Sequence, residues 1–178
     1  MITFHPFHLE LSLPVAMALL AFASKDDYRA HLGIGIEDGA VGATDGHTAV
    51  LFEACAVEDG GNPAAHDRRV WSRATVETAV KVARAHKAKT VTLQYGLFLD
   101  GPTFPPLRQV LPEDGISGND CAIGFNPKYV GQLSLVAKAC GAEGVKLTAL
   151  RGGLDPLGFR ATGTESVTAR AAVMPMRI

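Results

Sequence analysis

A stretch of helical period followed by alternating strands recurs three times along the chain, and this repeat limits the architecture more than any other feature. In residues 1–66, the span 11–24 reads as a helix. Pro14 suits its first turn, and Val15, Ala18, Leu19 and Phe22 return at helical spacing. Residues 30–36 then alternate, Asp38-Gly39 signals a hairpin, 40–43 begins the return, and 48–54 forms a further strand. In residues 67–118, a short strand at 68–71 precedes a helix that Ser72 caps and that runs to about His86. A strand at 90–94 and a short apolar one at 97–99 follow. In residues 119–178, a strand at 121–124 leads to a helix with Asn126 as cap, Pro127 at its first position and Gly141 as its stop. Strands are expected at 145–150, 158–161 and 167–171. The predicted class is α+β, built from units of one helix plus several antiparallel strands.

Two stretches resist regular structure. Phe104-Pro105-Pro106-Leu107-Arg108-Gln109-Val110-Leu111-Pro112 holds three prolines, which excludes a regular helix and suggests a rigid crossing segment. At the end of the chain Pro175 sits between Met174 and Met176, where flexible thioethers suit a surface that accepts varied apolar partners.

Composition narrows the function. A formal net charge of −1 excludes a generic polycation that coats nucleic acid, though not a local basic face. One such face is available on the second helix. Val76, Ala79, Val80 and Ala83 make its buried stripe, and Arg73, Lys81, Arg84 and Lys87 lie beside it, diluted by Glu77. A solvated face is the plain reading of those charges. Cys55, Cys121 and Cys140 are widely spaced, with no metal pairing, and read as reduced core thiols of a cytosolic protein. No apolar run is long enough to span a bilayer, and the first residues lack the pattern of a signal peptide, so a cytoplasmic protein with no membrane association is expected. Asp45 and His47 lie close in a turn, but no nucleophile elbow accompanies them, and Asp45 is expected to bond its own turn backbone. His5 and His8 offer two imidazoles without further ligands, so neither metal nor cofactor is expected. No phosphate-binding glycine loop is present, and no enzyme is expected.

Four motifs resemble the bacterial DNA polymerase III beta subunit, the sliding clamp. The ending Val173-Met174-Pro175-Met176-Arg177-Ile178 is similar to the family's Val-Met-Pro-Met-Arg-Leu tail. Ala43-Thr44-Asp45-Gly46-His47 resembles its Ala-Thr-Asp-Gly-His-Arg-Leu, with Thr48 and Ala49 in place of Arg and Leu; this removes a cation and shrinks one wall. The proline-rich 104–112 resembles the family's Phe-Pro-x-Tyr-Arg-Arg-Val-Leu-Pro, with Gln109 where the second Arg stands. Phe125-Asn126-Pro127-Lys128-Tyr129 resembles a helix start in the last clamp domain. Residues 27–32 and 154–157 are similar to flanking parts of the same pocket.

The resemblance implies about one and a half clamp domains: 1–118 as a middle-domain-like pair of units (1–66 and 67–118), and 119–178 as a C-terminal half-domain-like unit. It implies a peptide pocket formed by Leu32, Thr44, Gly46, His47, Thr48, Ala49, Pro105, Gln109, Val110, Asn126, Tyr129, Leu154, Ala172, Met174, Pro175, Met176, Arg177 and Ile178. It also implies sequence-independent contact of Arg73, Lys81, Arg84 and Lys87 with double-stranded DNA. The implied function is a DNA replication and processivity protein that binds short peptide motifs of polymerases and repair proteins. The alternative is an adaptor or decoy, without a ring, that occupies clamp-binding motifs. A homo-oligomer is expected, because the third unit must bury its open side either against the first two or against another subunit.

Overall fold

Alternation of buried leucines shapes the first turns of the chain. The structure, a computed structural model, describes residues 1–178 except 27, 28, 30, 31, 54, 117–125, 151–154, 164–166 and 176–178. Strands β1 (Ile2–Phe4) and β2 (His8–Ser12) form a hairpin in which Leu9 and Leu11 point into the core. The helix expected from residue 11 therefore starts later, as α1 (Leu13–Phe22), because Leu11 and Ser12 still follow the period-two pattern of β2. Almost every face of α1 is apolar, and it lies between α2 (Arg73–Ala85) and α4 (Lys128–Ala139), packing on both. Ser72 caps α2 by accepting the Thr75 N–H at 3.0 Å. Pro127 is the cap residue of α4 rather than its first helical residue, and Asn126 Oδ1 accepts the Lys128 N–H at 3.0 Å. Gly141, at φ +65°, follows α4 where a stop was predicted.

The remaining strands are β3 (Ile34–Glu37), β4 (Ala40–Thr44), β5 (Thr48–Glu53), β6 (Ala56–Val57), β7 (Val70–Trp71), β8 (Thr90–Gln94), β9 (Gly115–Ile116), β10 (Lys146–Leu150), β11 (Leu157–Thr162) and β12 (Thr168–Val173). One sheet has the order β6-β1-β2-β8; the other runs β7-β3-β4-β5-β12-β11-β10-β9. Pairing is antiparallel except for β1–β6 and β9–β10. The short strand expected at 97–99 is absent; a 3-10 turn, Tyr95–Leu97, stands there and packs its Tyr95 ring against Trp71 and Phe98. The strand expected at 121–124 lies outside the described residues.

The joint between β5 and β12 unites the first and last segments. Their six-residue antiparallel register runs from Thr48↔Val173 to Glu53↔Thr168. The last segment thus pairs its β12 edge with the first segment.

Strands β3, β4 and β5 are buried on both faces. Ile34, Ile36, Val41, Ala43, Val50 and Phe52 face the main core. The opposite face is covered by the proline-rich segment, whose Phe104, Leu107 and Leu111 pack on Ala40, Ala49, Leu51, Val70 and Ala172. Two glycines make room for this cover. A Cβ on Gly35 would lie 2.3 Å from the Phe104 ring, and one on Gly42 would lie 2.7 Å from Leu107 Cδ1. Full burial of Phe104 contributes about 2–3 kcal/mol by the hydrophobic effect. The prolines were expected to exclude a regular helix, and past Pro106 the cover makes a single helical turn, α3 (Leu107–Val110). Glu37 accepts the Arg108 backbone N–H with both carboxylate oxygens at 3.2 Å, and Arg108 Nη1 reaches Glu53 Oε1 at 2.7 Å. These bonds fix α3 to β3 and β5, satisfying a donor that the start of a helical turn leaves free.

Candidate functional site

The edge of the cover forms one wall of a cleft of about 410 Å³. Pro105, Leu107 and Val110 supply that wall; Thr44, Gly46, His47, Thr48 and Ala49 supply the β4–β5 side; Leu32, Pro156, Ala172 and Met174 complete it. The lining is mainly apolar, which suits a ligand held by buried side chains.

The β4–β5 turn is held by Asp45. Its Oδ1 accepts from the His47 N–H (2.9 Å), the Thr48 N–H (2.7 Å) and the Thr48 hydroxyl (3.0 Å). Asp45 thus bonds its own turn, as the sequence suggested, and makes no acid–base pair with His47. The Thr44 hydroxyl donates to the Thr48 carbonyl at 2.7 Å and accepts the Gly46 N–H at 3.1 Å. Gly46 has φ +87°, a conformation in which a side chain would be strained. The residue after β12 is tied in as well, since the Met174 N–H donates to the His47 carbonyl at 2.9 Å.

On the other side of β12 lies a second apolar groove of about 570 Å³, between α4 and the sheet. Tyr129, Leu133, Ala137, Val145, Phe159 and Val173 line it. Val173 and Met174, neighbours in sequence, face opposite clefts. Burial, and secondarily the charge of Asp45, pushes the Tyr129 phenol above its usual pKa.

Leu32, Thr44, Gly46, His47, Thr48, Ala49, Pro105, Val110, Ala172 and Met174 come together in the first cleft. Tyr129 lines the second groove, and Asn126 bonds the start of α4. Gln109 and Pro175 do not line the first cleft; Gln109 points to solvent from α3. Leu154, Met176, Arg177 and Ile178 lie outside the described residues. Leu107 and Pro156 were missed. Each lies within a motif already singled out, two residues from a chosen position, Pro105 and Leu154 respectively.

The basic helix is less uniform than its sequence implied. Arg73 is not a free cation: its Nε binds Glu77 at 2.7 Å, and its Nη1 donates to the carbonyls of Leu20 and Ala23. Lys81, Arg84 and Lys87 are exposed, although Arg84 Nη2 also lies 3.0 Å from Met17 Sδ. Cys55 and Cys140 are free thiols, with burial pushing them up to about 12 and about 11 respectively; Cys121 lies outside the described residues. No helix among the described residues is long and apolar enough to cross a membrane.

No family model and no curated protein sequence matches the chain. Solved structures do. The DNA polymerase sliding clamp of Pseudomonas aeruginosa, crystallised with a ligand, aligns over 97% of this chain and 66% of its own, with TM-score 0.56 and 14% identity. A crystal structure of the DNA polymerase III subunit beta of the same organism, bound to griselimycin, aligns over 98% and 67%, with TM-score 0.55 and 13% identity. The chain therefore has the α+β fold of a bacterial sliding clamp and spans about two thirds of a clamp subunit's length.

Proposed function

We propose that this protein is a sliding-clamp-like scaffold that grips short extended peptides of polymerases and repair proteins in the cleft beside Met174. It acts by binding and not by turnover. The observation that supports this most is the convergence of separate motifs, Leu32, residues 44–49, Pro105 with Val110, and Ala172 with Met174, on one apolar cleft. Apolar anchors of the peptide would supply most of the affinity, as buried side chains do at other interfaces. The groove beyond β12, lined in part by Tyr129, would take a further residue of the same peptide. A fluorescent peptide carrying a Gln and a Leu-Phe pair should bind with micromolar affinity, roughly 8 kcal/mol. Absence of binding at millimolar peptide would rule the site out.

Contact with double-stranded DNA is the second part of the proposal. Its support is the exposed trio Lys81, Arg84 and Lys87, without Arg73. Replacing the trio with Glu should abolish binding at low salt, where phosphate contact is strongest; unchanged binding would move the DNA face elsewhere.

The unit division 1–66, 67–118 and 119–178 and a homo-oligomer belong to the same reading. With β12 paired inside the chain, the sheet edges left for assembly are β7, β9, β6 and β8. Sedimentation giving a clean monomer at about 100 μM would favour the adaptor or decoy, since one copy cannot enclose a duplex.

A further inference from the structure

The β1–β2 hairpin carries three metal-ligating side chains that the peptide and DNA readings do not use. His5, His8 and Glu10 each present a ligand atom, and these atoms all lie within 4.8 Å of one another. The backbone explains the convergence. Phe4 pairs with Leu9, and the His5 N–H donates to the His8 carbonyl at 3.0 Å, which sets His5 across from His8 at the hairpin end. His8 and Glu10 are two apart on β2 and share one face, while Leu9 and Leu11 anchor the other face in the core. The two imidazole rings are stacked, with centroids 4.4 Å apart and planes 17° from parallel. Among the described residues, no hydrogen bond or ion pair holds any of these three side chains. All three are half-buried, so the site is reachable from solvent on a stiff strand scaffold.

We propose that His5, His8 and Glu10 bind a divalent transition metal of the zinc class, which staples the β1–β2 hairpin. Two imidazole nitrogens and one carboxylate suit zinc, and a water completes the four-coordinate set. Ligand atoms around one zinc lie about 3.4 Å apart when bonds are ~2.0–2.1 Å. Closing from 4.8 Å needs only side-chain rotation at a partly exposed site. His5 and His8 alone looked insufficient in the sequence. The alternation of β2 adds the third ligand by setting Glu10 on the same face as His8, and the hairpin brings His5 to both.

The test uses the full chain, stripped of metal and titrated with zinc against a chromophoric chelator. The wild type should take up one zinc with a Kd of about 1 μM or tighter, roughly 8 kcal/mol. His8→Ala and Glu10→Gln should each weaken uptake by at least about tenfold, ~1.4 kcal/mol, whereas His86→Ala, at the far end of α2, should bind like the wild type. A second readout needs no variant: paramagnetic cobalt(II) should broaden the ring signals of His5 and His8 before those of His47 or His86. Wild-type uptake well below one equivalent at about 100 times the expected Kd overturns the proposal. So does equal binding by the variants, or earlier broadening at another histidine.

Discussion

The eight-stranded sheet has two unlike halves. From β7 to β5 it is buried on both faces, with α1 on one side and the 104–111 cover on the other. From β11 to β9 its outer face is covered, among the described residues, only where Pro112 lies over Gly158, and Arg160 and Asp114 meet there in an exposed pair at 2.8 Å. The difference shows where a cleft can form. A sheet face that is fully covered offers no space, and a face that is fully open offers no walls. The cleft beside Met174 lies where the cover ends, between α3, the Asp45-held turn and the end of β12. The site is therefore a product of the crossing segment as much as of the sheet.

Removing the anchor of the cover is the harshest way to erase this difference. Phe104→Ala should destabilise the protein by about 3–5 kcal/mol in urea denaturation, while Asp114→Ala on the open half should cost ~1 kcal/mol or less. Comparable losses at both positions would mean the two halves are not distinct. A smaller effect, about 1–3 kcal/mol from overpacking, is expected for Gly35→Ala, whose new methyl meets the Phe104 ring. In the Phe104→Ala background that loss should largely vanish, giving a double-mutant cycle with strong coupling.

The walls of the cleft should respond in affinity and not in stability. Val110 and Met174 are 52% and 41% exposed, so Val110→Ala with Met174→Ala should leave Tm nearly unchanged. The same pair should weaken peptide binding by at least about tenfold, ~1.4 kcal/mol, measured by anisotropy. The smallest effect concerns the base of the cover. Burial pushes the Glu37 carboxyl above the ordinary range, partly offset by the N–H groups of Arg108 and Leu107 and by the charges of Arg68 and Arg108. A raised carboxylate pKa means that the folded state binds the proton better than the unfolded chain. Its stabilising contribution is thus full below the ordinary Glu pKa and is lost as pH rises through the folded value. Against Glu37→Gln, the wild type should lose relative stability over the pH window that opens at the ordinary Glu pKa, about 4.3. A relative gain over that window would show that the arginines dominate burial.

Helices, most strands and the Asp45 turn were legible in the sequence because local rules decide them: period, Ser72 as cap, and an aspartate three residues before Thr48. The motifs of the cleft were legible through their resemblance to clamps. Leu107 was passed over because only the packed cover shows that it lies against Gly42 and reaches the cleft. The bonds of Arg73 were not legible because helical spacing reports which face a side chain shares, not that the C-terminal end of α1 presents the Leu20 and Ala23 carbonyls to it. β1 escaped notice because three residues are too few for a period, and the joining of β5 to β12 is a long-range pairing with no local signal.

Backbone amide NMR of the labelled protein, titrated with the Gln and Leu-Phe peptide, tests the central claim most directly. The account predicts that the largest shifts fall on Gly46, Thr48, Ala172 and Met174, with smaller ones at Tyr129 and none on Lys146 or Arg160 of the open half. Shifts concentrated on β10 and β11, with the Gly46–Thr48 turn unmoved, would contradict it.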